Sequence, residues 1–117
     1  MSPLNTIELY QILRQYYDTN PPAFCRTPPV IRLTPGGAIH IEFYTNSLGS
    51  IVTCEISEDV DLMTPESPHW AIVCKRLAGE SLKGWISFDE IVHGGGMEYL
   101  ARLIQDNVSS LVATGWR

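Results

Sequence analysis

An α+β fold is predicted for this chain: an N-terminal helix, a four- or five-stranded mostly antiparallel sheet, then a short helix and a long C-terminal amphipathic helix packed on one sheet face. Three observations predict it. Apolar and polar residues alternate with period two over Ile31–Phe43, on both sides of Thr34-Pro35-Gly36-Gly37, the pattern of a half-buried hairpin. Met97, Leu100, Ala101, Ile104, Val108 and Leu111 recur at helical spacing. The strand-like segments run consecutively before the C-terminal helical ones, an order that lays helices against a sheet rather than between parallel strands.

Asn5 or Thr6 can cap the first helix, with Glu8 three residues after Asn5 in capping-box position. Ile7, Tyr10, Leu13 and Tyr17, joined by Leu9 and Tyr16, are expected to form its apolar side. Pro21-Pro22 stops it, and the four prolines within residues 20–29 predict an extended connection. In the hairpin that follows, Pro35-Gly36 suits the central positions of a type II turn. Pairing Leu33 with Ile39 and Ile31 with Ile41 keeps the apolar side chains on one face, whereas a one-residue slip sets Arg32 beside Ile39. Asn46-Ser47-Leu48-Gly49 turns the chain again. Facing Phe43 with Val52, Ile41 with Cys54 and Ile39 with Ile56 then carries the same core face into Ser50–Ser57.

Residues 58–68 are acidic and contain proline, and read as a surface loop. His69–Leu77 alternates little and reads as a fourth strand, central or covered on both faces; Gly84–Ser87 reads as a short fifth. Ser87-Phe88-Asp89-Glu90 opens a short helix that reaches His93, and Gly94-Gly95-Gly96 breaks it before the long helix. No repeat or compositional break divides the chain, so residues 1–117 are read as one domain.

Composition narrows the function classes. A chain of 117 residues can bury about two-thirds of its unfolded surface and needs neither metal nor disulfide to fold. Thirteen acidic against eight basic residues give a net charge of −5. That argues against nucleic acid, whose binding needs a basic stripe, and against an anionic membrane surface. A basic protein partner fits this charge, as does solubility alone. Cys25, Cys54 and Cys74 are odd in number and widely spaced, unlike an oxidised framework. The segment MSPLNTIELYQIL lacks a basic region and carries Glu8, unlike a signal peptide. No stretch approaches the ~20 apolar residues of a membrane span, and the expected location is the cytoplasm.

The triple glycine leads into a helix N-terminus, where free amides could cradle phosphate. A helix precedes it, however, and Met97-Glu98 follow where a phosphate loop carries a lysine, so a helix C-cap and hinge is the reading adopted. Arg32, His40, Glu42 and Glu55 fall on the face opposite the core, with Arg32 beside His40 and His40 beside Glu55. A histidine next to a carboxylate can act as a general base, but such ladders also dress any solvated sheet face, and no nucleophile or oxyanion donor accompanies it. Cys54, Cys74 and a histidine could bind zinc, yet they lack the short spacings of structural zinc sites.

Between Arg32 and Lys75 there is no Lys or Arg, while Glu42, Glu55, Glu58, Asp59, Asp61 and Glu66 all fall there. Such a run is either a solvated surface or a patch that steers a basic partner. Tyr44, set beside Ile51 on the outer face, and Trp70, Trp85 and Trp116 are either core and core rim or, where exposed, aromatic anchors for a partner.

The leading expectation is a non-enzymatic protein-binding domain. Glu42, Glu55, Glu58, Asp59, Asp61, Glu66 and Tyr44 are its expected contacts with a basic partner, and an immunity-type inhibitor that neutralises a bacterial toxin is its sharpest form. No catalytic residue, metal or cofactor is assigned. The alternatives are a homo-oligomeric structural or adaptor domain, such as a homodimer, that buries Tyr44 and Ile51, and a small enzyme or ligand-binding domain with a cleft near His93.

Overall fold

The computed structural model describes residues 5–46, 51–58, 69–76 and 81–114. The first helix, α1 (Thr6–Thr19), is capped by Asn5, whose Oδ1 accepts the Glu8 amide at 2.8 Å. Its buried residues are Thr6, Leu9, Leu13 and Tyr17. Ile7, expected on the apolar side, is 57% exposed. The helix is rolled so that the i, i+4, i+8 stripe of Leu9, Leu13 and Tyr17 faces inward. Thr6 extends that stripe because its hydroxyl has buried work to do: it accepts from Trp70 Nε1 at 3.2 Å and donates to Glu58 Oε1 at 2.8 Å.

Five strands form one antiparallel sheet in the order β1-β2-β3-β4-β5: β1 (Val30–Leu33), β2 (Ile39–Tyr44), β3 (Ile51–Glu58), β4 (His69–Arg76) and β5 (Ser81–Ser87). Every pairing expected from the alternation is present. Leu33 faces Ile39 and Ile31 faces Ile41, while Ile39, Ile41 and Phe43 face Ile56, Cys54 and Val52. The first turn differs from expectation. Thr34 and Ala38 close a three-residue loop, and the positive φ falls on Gly37 (84°) rather than on Gly36. This is the type I turn followed by a left-handed glycine, which fits the strand twist in a three-residue hairpin.

The proline-containing connection runs along the end of β2. Cys25 bridges Thr45, Arg26 N–H donates to the Tyr44 carbonyl, and Asn46 N–H donates to that of Phe24, both at 2.8 Å. Strand β5 starts earlier than its apolar residues suggest, because Ser81–Lys83 are recruited by backbone pairing to Val73–Lys75 of β4. Helix α2 (Phe88–His93) opens on Ser87, whose Oγ accepts the Glu90 amide at 3.1 Å. It closes with Gly96 N–H donating to the Ile91 carbonyl across Gly95 (φ 111°), a Schellman end.

Helix α3 (Met97–Thr114) buries Leu100, Ala101, Ile104, Val108 and Leu111. These join the α1 stripe and the inward residues of β2, β3 and β4 in a single apolar cluster. Tyr17 meets Phe43 edge-on at 5.9 Å between centroids. No helix among the described residues is long and apolar enough to cross a membrane.

Candidate functional site: the open sheet face

Because side chains alternate along each strand, the sheet has a second face that meets neither α1 nor α3. Register lays its residues out in rows across the strands. One row runs Arg32, His40, Glu55, Val73, Lys83; the next runs Val30, Glu42, Thr53, Lys75, Ser81. A third holds Ser57, Ala71 and Trp85, and Tyr44 stands beside Ile51 at the far end of β2. Trp85 is 48% exposed, with Lys83 Nζ 5.2 Å from its ring centroid, within cation–π range.

Three sequence-expected residues converge on one carboxylate. Glu42 accepts from Tyr44 Oη at 2.5 Å and from Arg32 at 3.1 Å, and His40 Nε2 lies 3.4 Å away. These contacts hold the Glu42 carboxyl below its ordinary range, Tyr44 foremost, then Arg32 and His40. The same bond raises the Tyr44 phenol. His40 is thus beside Glu55 in register, but its ring approaches Glu42 on its own strand.

Glu55 and Glu58 are the other expected acids within the described residues. Glu55 is exposed and has no side-chain partner there, while the exposed Glu58 accepts only from Thr6. Asp59, Asp61 and Glu66 lie outside the described residues, as do Trp116 and the turn at 47–50.

The acidic run is not an acidic surface over this sheet. Arg32, Lys75 and Lys83 flank Glu42 and Glu55 in the same two rows, although in sequence they border or follow the run. Sequence reading set Arg32 among these acids but missed Lys75 and Lys83, and the signal that finds them is register extended through β4 to β5. His93 sits exposed in the last turn of α2, while Ile91 of the same helix joins Ile86, Leu100 and Ile104 in the buried apolar cluster.

Cys54 and Cys74 face one another across β3 and β4, both fully buried. The Cys74 thiol and burial together push Cys54 well above the ordinary thiol range, the behaviour of cysteine as a small apolar residue. No third His, Asp or Glu joins them among the described residues. No family model, curated protein or solved structure matches the chain.

Proposed function

We propose that this chain is a cytoplasmic protein-binding domain that presents the acidic end of β3, with the carboxylates of its mixed-charge open sheet face, to a basic partner. An immunity-type inhibitor that neutralises a toxin is the sharpest form of that reading. One observation carries it: Glu55 and Glu58 are exposed carboxylates with no cationic partner among the described residues, whereas Glu42 is already held by Arg32. In sequence, Asp59 and Asp61 extend that acidic end. Acids without a cationic partner speed encounter with a basic surface, and Tyr44, beside Ile51 at the other end of β3 from Glu58, supplies a separate aromatic contact. Glu42 then orients Tyr44 rather than meeting the partner itself, and Glu66 adds to the long-range field.

The test is capture of partners from the native host on the tagged chain, followed by association kinetics with the purified partner. The expected result is a stoichiometric basic protein that leaves faster at high salt. Glu55→Lys combined with Asp59→Lys and Asp61→Lys should slow its association at least about tenfold at low salt. Unchanged association by that variant would overturn the reading. Self-association through the same face is the second reading, favoured by Val30 and Trp85, two large apolar side chains exposed on its flanks.

A further inference from the structure

At the centre of the open face lies a groove of ≈ 290 Å³ lined by His40, Thr53, Glu55, Ser57, Val73 and Lys75. Its charged walls come from neighbouring strands. Glu55 is paired with Val73 and Thr53 with Lys75, so Glu55 and Lys75 stand on a diagonal, about 7–8 Å apart at their backbones. The ion pairs on this face belong to Glu42, with Arg32 and His40. Glu55 and Lys75 have no side-chain partner among the described residues.

Glu55 and Lys75 line one groove with no ion pair between them, and opposite charges on its walls select the charge type of an occupant. A simple cation gains from Glu55 and is repelled by Lys75, and a simple anion meets the reverse; a ligand carrying both charges satisfies both walls. The volume is at the lower end of small-molecule sites, roughly 300–1,000 Å³, which suits a compact metabolite rather than a nucleotide. Val73 supplies an apolar floor. Thr53 makes only a long 3.5 Å contact with the Lys75 carbonyl, which leaves its hydroxyl, with that of Ser57, free to bind a ligand.

We infer that this groove binds a small zwitterion of the α-amino acid class, its ammonium on Glu55 and its carboxylate on Lys75. Both walls are exposed and screened by solvent, so the affinity is in the millimolar range. This site shares Glu55 with the proposed partner surface, and a titration of the full chain with no partner present keeps the two readings distinguishable.

The experiment is an amide-resolved NMR titration with L-alanine, L-serine and L-leucine, and with acetate and methylamine as single-charge controls. The expected result is saturable shifts for at least one amino acid, confined to residues around 40, 53–57 and 73–75, with no saturable shift from either control. Glu55→Gln and Lys75→Met should each abolish the shifts while the spectrum stays dispersed. An absence of saturable shifts up to about 20 mM, equal response to acetate or methylamine, or binding that survives both substitutions would overturn the inference.

Discussion

Glu42 shows how a single carboxylate is used up by its own neighbours. Tyr44, Arg32 and His40 all converge on it, and they hold its pKa below the ordinary carboxylate value. A depressed folded-state pKa contributes stability above the unfolded value of about 4.3, and that contribution is lost as pH falls through the folded value. Glu42→Gln should therefore lower the melting temperature near neutral pH and converge with the parent well below about pH 4, as read by thermal melts across pH. That Glu42 and Tyr44 share one strand face was legible from their i, i+2 spacing, whereas their hydrogen bond was not; the approach of Arg32 needed the hairpin register as well. Tyr17 makes a contrasting case. Burial pushes its phenol well up, and its hydroxyl makes no well-formed hydrogen bond, Gln105 being near enough only to ease the titration. A buried hydroxyl without a partner is a cost, so Tyr17→Phe should leave stability unchanged or raise it by up to about 1 kcal/mol in chemical denaturation.

At the scale of elements, two glycines that look alike in sequence are required for different reasons. Gly37 has open space around it but a φ of 84°, so Gly37→Ala should cost about 1–2 kcal/mol from the left-handed backbone alone. Gly94 has an ordinary φ of −81°, but a Cβ there would lie 2.6 Å from Tyr99 Cγ and 2.7 Å from the Glu90 carbonyl. Gly94→Ala should cost about 1–3 kcal/mol by overpacking, and a Tyr99→Ala background should recover part of it, whereas Gly37→Ala gains nothing from that background. Denaturant melts of the three single and two double variants separate the two causes. The glycine cluster was legible as a helix end, while the close approach of Tyr99 was not, because it depends on how α3 leaves the turn. Likewise the caps at Asn5 and Ser87 are local and were readable, but the inward stripe of α1 is chosen by Phe43, Trp70 and Glu58, all distant in sequence.

Over the whole molecule, the meander leaves β3 and β4 paired on both sides and packed beneath by α3, while β1 and β5 are edges. Opening free energy follows burial and pairing. The slowest native-state hydrogen exchange is thus expected at Cys54, Ile56, Ile72 and Cys74, and faster exchange at Val30 and Ser81–Lys83. Slower exchange at either edge than at the centre would reveal an additional covering of that edge. The same layout bears on assembly. If Val30, Tyr44 and Trp85 are buried between copies, sedimentation should show a mass that rises with concentration, and Trp85→Ser should abolish the rise; a concentration-independent monomer mass removes self-association.

Periodicity, turn residues and caps are properties of short stretches of chain. For that reason the α+β class, the registers of the first two hairpins, the capped helix starts and the glycine break could be read from the chain alone. The tertiary structure alone decided which stripe of α1 turns inward, how far β5 extends and that Cys54 meets Cys74. It also decided that Lys75 and Lys83 stand among the acids. Each of these depends on neighbours brought together across strands, where proximity is set by the order and pairing of the sheet rather than by distance along the chain.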